Sequence, residues 1–579
     1  MFNARNHPQP LLKKGGELAL KTSSSASSPS PAERGLGGEV TRRAFLAKAS
    51  AGLIGVLLAP SVLTSCASTA HAHIKGQLHS PNHALGHLLR WPEKLLAPTQ
   101  TLQTDVLIVG GGVAGLAARR WLHRQGRREV LLLELEAETG GNAASGRNAA
   151  SAYPWGAHYL PVPDPRNHEL LAFLQETGTI TGYDAASGLP IYNEYHLCHD
   201  PEERLSINGH WQTGLVPELG VPAADRQQLA RFFALIEEMK QAQGHDGREA
   251  FRIPLAESSA DATFRQLDQV SFADYLTQQG FTSPYLRWYL DYCCQDDYGA
   301  PAARVSAWAG LHYFAGRKGR GHNATASDVL TWPEGNGFLV NHLRQAAPTP
   351  FRPQTLVYAL HETPTGVAVL AYDAATKQTL RIEARQVLLA TPQYITQRLL
   401  GPLAATRPPL PLHHAPWLVA NLTVTGLPQG PGAPLSWDNV RYGSPAGGYI
   451  DATHQHLSLA ANGPKVITFY WPLTDEDPAA ARRRAYHTTY DEWLPRILAE
   501  LEMMHPGITP LVQHAEVRVW GHGMVAPTPG LLWEAARPAA AEPINQKIFF
   551  AHTDLSGISI FEEGFYQGIR AAQEMLHVV

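Results

Sequence analysis

Cysteine is scarce in this chain of 579 residues, and the four cysteines form no recognisable motif. Cys66, Cys198, Cys293 and Cys294 contain no C-x-x-C pair, which argues against a zinc ribbon or a thioredoxin-like site. The adjacent Cys293 and Cys294 are expected to be small buried residues of one helix. The 27 histidines show no spacing typical of metal ligands, so no metal is expected.

A strong net charge and long apolar runs are also missing. The net charge is only −4, so no nucleic-acid partner is expected. Hydrophobic residues make up 44% and charged residues 17% of the chain, a globular composition that can fill two domains with deep cores. The apolar run at 49–63 is too short to span a bilayer comfortably.

The N-terminus is predicted to be an export signal behind a polar leader. Residues 1–40 are rich in Ser, Pro and Gly and should not pack. A twin-arginine pair at 42–43 precedes the apolar run and resembles a bacterial Tat signal. The run ends in Leu-Thr-Ser-Cys66, which resembles a lipobox, and cleavage after Ala72 is the alternative. We therefore expect a periplasmic, cell-envelope protein anchored to the membrane by lipid at Cys66, with 67–101 as a tether.

The most informative motif is a strand, a glycine-rich turn and a helix at 104–125. Gly110, Gly112 and Gly115 have the spacing G-x-G-x-x-G. Gly110 allows the tight turn, Gly112 lets the backbone approach a pyrophosphate, and Gly115 lets the helix pack closely on the strand.

The elements that follow this turn strengthen the prediction of a dinucleotide site. The helix begins at Val113, which Ala114 follows, and its first N–H groups point towards the phosphate position. A second strand, 130–134, ends in Glu134, whose carboxylate is placed to accept hydrogen bonds from ribose hydroxyls.

A second pair of glycines favours FAD over NAD. Gly140 and Gly141 allow the chain to pass beneath a pyrophosphate. Residues 134–148 resemble the fingerprint of the flavin-dependent amine oxidase and phytoene desaturase superfamily, which continues from the acid to Gly-Gly-Arg. Asn142 stands where that superfamily usually has arginine, and Arg147 resembles the second arginine of the same loop.

Three further segments carry the same resemblance, which implies FAD as the cofactor. Trp155 and Gly156 lie in a stretch similar to the loop against the isoalloxazine ring. Val357 matches the residue that touches adenine through its backbone, and a buried strand ends just before Pro392. The C-terminal segment 548–572 resembles the closing motif of the superfamily.

In that closing motif the resemblance implies two more cofactor contacts. Asp554 matches the acid that holds flavin-side hydroxyls or phosphate, and Glu563 lies at the start of the glycine-rich helix. His552 replaces the usual glycine.

The predicted fold class is α/β. A Rossmann-like FAD-binding domain of the glutathione-reductase type would be assembled from discontinuous segments, with an α+β substrate domain inserted. The predicted boundaries are 102–160, 333–400 and 515–579 for the FAD-binding domain, and 161–332 and 401–514 for the substrate domain.

The resemblance implies hydride transfer from a C–N bond of an amine-like substrate, or from a C–C bond, to flavin N5. Phe561 falls near the position of an aromatic cage residue. Asn421, or Ala420, occupies the place of the lysine that superfamily members use. His158 is a candidate base or polar contact in the flavin loop, because its ordinary pKa is about 6.5.

Other functions remain open from the sequence. A desaturase or isomerase uses the same fold, and so does a nicotinamide-linked flavin reductase, although the chain has no second complete glycine fingerprint. A non-catalytic, tethered flavin-binding subunit is favoured by the missing lysine and by His552. The partners expected are a small-molecule substrate and an electron acceptor that the sequence does not identify.

Overall fold

The computed structural model describes residues 71–456 and 463–577. The twin-arginine pair and Cys66 lie outside the described residues. Among those that are described, no helix is long and apolar enough to cross a membrane. Residues from Gly76 onward belong to one compact unit.

The strands, numbered along the chain, are these: β1 (Lys75–His79), β2 (Gln100–Val109), β3 (Val130–Leu133), β4 (Ser145–Arg147), β5 (Ala152–Pro154), β6 (Tyr159–Pro161), β7 (Ile180–Tyr183), β8 (Pro190–Tyr192), β9 (Glu203–Ile207), β10 (His210–Thr213), β11 (Val329–Thr331), β12 (Phe351–Arg352), β13 (Thr355–Thr363), β14 (Gly366–Asp373), β15 (Gln378–Leu389), β16 (His413–Val424), β17 (Asp438–Arg441), β18 (Gly448–Asp451), β19 (Lys465–Pro472), β20 (Val512–Ala526) and β21 (Ile548–Phe550).

The α-helices are these: α1 (His83–Gly86), α2 (Val113–Arg124), α3 (His168–Glu176), α4 (Ala223–Gln241), α5 (Ala262–Arg265), α6 (Phe272–Gln278), α7 (Pro284–Tyr298), α8 (Ala307–Ala315), α9 (Gly337–Gln345), α10 (Gln393–Leu400), α11 (Pro478–His487), α12 (Tyr490–Met504), α13 (Ala536–Ala539) and α14 (Phe561–His577).

A seven-stranded sheet is built from segments that lie far apart in the sequence. Its order is β12-β3-β2-β15-β14-β13, and β21 pairs with the C-terminal half of β15. The pairs β12–β3, β3–β2, β2–β15 and β15–β21 are parallel. Both faces of this part are covered, which explains the continuous apolar run at 106–109 in β2. The predicted α/β arrangement is therefore present.

Helices α2 and α14 pack together over this sheet because glycine lets them approach. A Cβ added at Gly568 of α14 would lie 2.2 Å from the carbonyl oxygen of Ala114 in α2. A side chain larger than hydrogen at Gly568 would therefore force the two helices apart. This contact brings the C-terminal helix beside the glycine-rich turn.

A second sheet has eight strands in the order β1-β20-β16-β19-β18-β17-β9-β10. The central strand β16 pairs antiparallel with β20 and β19. The predicted boundary at 515 assigns most of β20 to the FAD-binding domain, but the strand pairs along β16 in this second sheet. Helices α4, α6, α7 and α8 share an apolar core that includes the buried Cys293 and Cys294.

The segment predicted as a tether is folded from Gly76 onward. Strand β1 lies beside β20, and the backbone N–H of Asn82 donates to Glu136 Oε1 at 2.7 Å. Leu85 and Leu89 are buried in the core beside the parallel sheet. These leucines recur at helical spacing, so the segment has an apolar face despite its Pro- and His-rich composition.

Candidate active site

The glycine-rich turn lies where the parallel strands end. Gly110 has φ of +107°, and its N–H donates to the carbonyl oxygen of Leu133 at 2.9 Å. A Cβ at Gly115 would come within 1.9 Å of the Gly110 carbonyl oxygen, so helix α2 and the turn are in close contact. Both glycines are therefore required by the protein's own packing.

Gly112 is different, because neither the backbone conformation nor the packing of the protein requires a glycine at this position. Its φ is −71° and ψ −179°, which any residue can adopt, and a Cβ would meet nothing within 4 Å. It is the N-cap of α2, no side chain caps the helix there, and the first turn contains no acid. The open N–H groups and the free space suit a bound anion.

Glu134 ties the two glycine segments together. Its Oε2 accepts the Gly111 N–H at 2.6 Å and its Oε1 accepts the Glu136 N–H at 2.9 Å. Gly140 in turn donates to the Gly111 carbonyl oxygen at 2.9 Å. Burial raises the pKa of Glu134, although the two backbone hydrogen bonds oppose the shift. The ribose contact predicted for this carboxylate stays a prediction.

Val357 lies at the same end of the site. It is buried in β13, two residues after Thr355, whose backbone N–H donates to the Glu134 carbonyl oxygen at 2.8 Å. A register shift follows Val357 in the pairing of β13 with β14. The structure thus brings Val357 towards Glu134 and the glycine turn.

Asp554 also comes to the edge of the sheet that carries the turn. The residue is fully buried, and its Oδ2 accepts the backbone N–H of Gln393 at 2.7 Å, directly after Pro392. Oδ1 lies 3.0 Å from His414 Nε2 and 3.3 Å from His552 Nδ1. Burial alone would raise the pKa of Asp554, but the two histidines hold it well below its usual range.

Two contacts join the segments around Asp554 to the glycine turn. The position of a Cβ on Gly110 is 2.5 Å from the carbonyl oxygen of Ala390, at the end of β15. Val113 and Thr553 both contact the position of a Cβ on Gly564, at 3.5 and 3.4 Å. The N- and C-terminal motifs therefore converge on one place.

The loop after Gly141 leads from the turn into the protein interior. The Asn142 side chain donates to the carbonyl oxygen of Gly523 in β20. The carbonyl oxygen of Trp155 accepts the Trp520 Nε1–H at 2.5 Å. A Cβ at Gly156 would lie 2.3 Å from the Asn142 carbonyl oxygen, so glycine is needed there.

Arg147 is exposed at the end of the short strand β4, and it lines neither the main cavity nor the side pocket described below. The guanidinium of Arg518 instead lies near the loop, 5.7 Å from the Trp155 ring and 4.1 Å from the Trp520 ring. Burial lowers the pKa of Arg518.

A cavity of about 140 Å³ lies at the end of this path. Strands β16, β19 and β20, helices α7 and α8, and the start of α14 enclose it. The residues that carry its chemistry are Asn142, His158, Tyr159, Asp296, Asp297, Tyr313, Arg317, Asn336, Tyr470, Trp520, Phe561 and Glu562.

Carboxyl groups outnumber cations in this cavity. Arg317 is its only guanidinium among the described residues, and its Nη2 lies 2.9 and 3.1 Å from the two oxygens of Asp297. Arg317 also donates to the Tyr159 hydroxyl at 3.3 Å and stacks 4.1 Å from the Tyr313 ring centre. Arg317 is thus committed to a buried pair, which leaves the other acids without a basic partner of their own.

Glu562 and Asp296 are those other acids. Glu562 is 5% exposed, and among the described residues its carboxyl receives a hydrogen bond only from its own backbone amide. Burial raises the pKa of Glu562 to about 7 and that of Asp296 to about 7. A positive charge placed between them would favour both carboxylates.

His158 stands between this cavity and a smaller side pocket. Its ring stacks on Tyr470 at 4.5 Å, and burial lowers its pKa to about 4. The ring is therefore neutral at pH 7. The side pocket shares His158, Tyr159, Asp296 and Tyr470 with the main cavity and adds Tyr292, Trp437 and Asp438.

Of the three candidate catalytic residues, the structure brings His158 and Phe561 to the cavity. Asn421 lies elsewhere: its Nδ2 donates to the Pro154 carbonyl oxygen at 3.1 Å, and its Oδ1 accepts from Thr468 at 2.7 Å. Its amide therefore fixes the position of the loop just before Trp155 through a hydrogen bond. Trp417 and Val419 of the same strand line the cavity instead.

Glu563 also turns away from the cavity. It is fully buried and accepts the Leu255 backbone N–H at 2.5 Å. Its neighbour Glu562 lines the cavity, and no sequence pattern distinguishes these two adjacent acids. Asn336 was missed as well, and its side-chain oxygen has no hydrogen-bond partner in the described part of the chain.

Comparison with known proteins places the fold. Residues 108–177 match the family model of the NAD(P)-binding Rossmann-like domain. No curated protein matches the chain in sequence.

Solved structures of several enzymes are similar over most of the chain. A putrescine oxidase with redesigned cofactor binding has a TM-score of 0.59 at 18% identity, covering 82% of this chain and 100% of that one. Cyclohexylamine oxidase from Brevibacterium oxydans has a TM-score of 0.56 at 17% identity, covering 82% and 99%. A fatty acid isomerase from P. acnes has a TM-score of 0.52 at 16% identity, covering 81% and 98%. The predicted α/β fold with a Rossmann-like domain is confirmed.

Proposed function

We propose that this protein is an FAD-dependent oxidoreductase that acts on amines. The observation that carries the proposal is the route of the chain between two features. Gly112 lies against Gly141, where the loop to Gly156 begins, and Asn142 and Gly156 of that loop line a buried, acid-rich cavity.

The residues present fit FAD. Only a bound group would need glycine at position 112, because the protein itself leaves the Cβ position open. The uncapped start of α2 offers N–H groups to a diphosphate, and Arg518 lies beside Trp155 on the way to the cavity. The orphaned Asn336 oxygen can accept an N–H from a group in the cavity.

When bound, FAD would supply the hydride acceptor for a substrate C–H bond. The chain's own residues shape the site around it. The rings of Tyr470, Trp520 and Phe561 exclude water, and neutral His158 lacks a charge that would repel an ammonium group. Glu562 can hold a proton or accept one from the substrate nitrogen, because its pKa of about 7 lies near neutral pH.

The charge of the cavity supports an amine rather than a carboxylic acid as substrate. A cationic substrate would compensate Asp296 and Glu562, whereas a carboxylate would add to their repulsion. The similar structures include a putrescine oxidase solved with putrescine. A fatty acid isomerase shares the fold, so action on a C–C bond is the alternative, but the acidic lining disfavours a carboxylate ligand.

The test is anaerobic reduction of the purified protein. We expect a yellow protein that absorbs near about 450 nm, as bound flavins do, and that bleaches when an amine is added. A fatty acid or NADPH should leave the colour unchanged. A colourless purified protein would refute FAD binding, and bleaching by NADPH alone would favour a nicotinamide-linked reductase.

We also propose export through the Tat pathway and lipid attachment at Cys66. The support is the twin-arginine pair and the lipobox-like sequence. Mass spectrometry of the membrane fraction should detect a lipidated N-terminal cysteine. A Cys66→Ser variant should be released from membranes, and an unprocessed N-terminus in the wild type would contradict the proposal.

A further inference from the structure

The side pocket next to the main cavity contains a second acidic site. Asp438 begins β17, and Asp296 lies near the end of α7, so two separate elements bring the carboxyls together. The two carboxyls repel each other. No lysine or arginine lines this pocket among the described residues.

Each of these carboxyls has a tyrosine hydroxyl as its neighbour instead of a cation. The Tyr292 hydroxyl lies beside Asp438, and the Tyr159 hydroxyl, which donates to Asp297 Oδ1 at 3.3 Å, lies beside Asp296. Hydroxyl donors orient a carboxylate without neutralising it. Burial raises the pKa of Asp438 well above its usual range, which shows how poorly the pocket alone tolerates the negative charge.

Aromatic rings form the walls between the acids. Trp437 lies 5.7 Å from the His158 ring and 6.1 Å from the Tyr159 ring, and Tyr470 stacks on His158. The faces of such rings attract organic cations, especially where water is excluded. Acids and rings together fit an ammonium group better than a metal ion, which would need more oxygen ligands.

Glu562 supplies an independent indication in the main cavity. It is nine-tenths buried, it faces the cavity, and no other residue in the described ranges donates a hydrogen bond to it. The side pocket and the main cavity meet at Asp296. The site therefore contains two places for positive charge, one near Glu562 and one between Asp296 and Asp438.

We propose that the substrate is an organic dication, with one amine near Glu562 and a second held by Asp438 and Asp296. This inference rests on the proposed amine-oxidising function and adds the substrate class. Asp438 is then a specificity-determining residue, because it contacts the far end of the substrate. Glu562 contacts the end at which the reaction takes place.

The experiment compares α,ω-diamines with n-alkylamines of the same chain length. The purified holoprotein is mixed anaerobically with each compound, and the half-saturating concentration for flavin bleaching is measured. We expect diamines of one optimal length to half-saturate at concentrations at least tenfold below those of the matched monoamines. Equal half-saturation for both classes would overturn the inference and leave the proposed amine oxidation standing.

Single substitutions test whether Asp438 is the cause of the preference for diamines. Asp438→Asn should raise the half-saturating concentration of diamines about tenfold more than that of monoamines, so that the preference disappears. Glu562→Gln should impair both classes. The control Asp491→Asn, at an exposed position of α12, should change neither. A preference that survives in Asp438→Asn would contradict the assignment of the side pocket.

A second measurement does not depend on turnover or on the folding of a variant. Thermal melting of the wild-type protein is recorded with each diamine and its matched monoamine. A larger stabilisation by the diamine supports the dication site even if no amine bleaches the flavin, in which case only the proposed function fails. Equal or absent stabilisation by both classes overturns the inference.

Discussion

Replacement of Gly112 by alanine separates a cofactor role from a structural one. The backbone angles at Gly112 are open to alanine, and the new methyl group would meet no protein atom within 4 Å. Alanine reduces the freedom of the unfolded chain, which offsets its poorer fit to the N-cap position, so the free energy of unfolding should stay within about 1 kcal/mol of the wild-type value. The same methyl group would occupy the space assigned to the FAD diphosphate.

Loss of that space should appear as loss of cofactor. A diphosphate pushed back by about 1 Å would lose its best hydrogen bonds to the start of α2, and two such bonds to a charged group are worth about 3 kcal/mol or more. We therefore expect the dissociation constant of FAD to rise at least 100-fold. The assay is flavin content per chain after gel filtration, with melting of the apoprotein as the measure of stability.

Gly115→Ala is the matched control, since its methyl group would lie 1.9 Å from the Gly110 carbonyl oxygen. That variant should lose both stability and flavin. Full flavin content in Gly112→Ala would refute the location of the diphosphate. Unfolding of Gly112→Ala would refute the claim that the protein itself tolerates a side chain there.

The remaining predictions concern stability. Glu562→Gln should have a higher melting temperature than the wild type at pH 8 but not at pH 4. Because folding raises the pKa of Glu562 to about 7, the free energy of unfolding of the wild type should fall by up to about 3 kcal/mol as the pH rises from 4.5 to 7. Parallel melting curves across pH would contradict this. Because folding lowers the pKa of His158 to about 4, the wild type should lose stability as the pH falls from 6.5 to 4, and His158→Gln should lose less. Calorimetry that shows the same loss of stability in both proteins over this pH range would contradict the prediction. Gly568→Ala should cost about 2 kcal/mol in urea unfolding, because its methyl group would lie 2.2 Å from Ala114 O. Gly564→Ala, at ordinary contact distance, is the milder control, and equal losses would argue against tight helix packing as the cause.

The cofactor half of the fold could be predicted because its signals are local. The turn at Gly110, the helix from Val113 and the strand ending before Glu134 follow each other within a short stretch, and the structure has all three. Farther from the turn, the chain over 478–504 forms two helices, α11 and α12, because Thr489 begins the second with a capping box.

The folded segment after Gly76 was harder to foresee. Composition favoured a tether, while its few leucines and the partner strand β20 favoured a fold. The partner lies more than four hundred residues away, between 512 and 526. Pairing at such a separation leaves no local signal.

The acid-rich cavity could not be predicted for a similar reason. Asp296, Asp438 and Glu562 come from a helix end, a short strand and the first turn of the last helix, and none stands in a motif with the others. Only the fold shows that Arg317 is already paired with Asp297 and so leaves these three without a cation. An uncompensated buried carboxyl destabilises a folded chain, so three beside adjoining cavities support the proposed cationic substrate. The proposed substrate class thus depends on charges that meet only after folding, whereas the cofactor could be predicted from glycines that lie close together in the sequence.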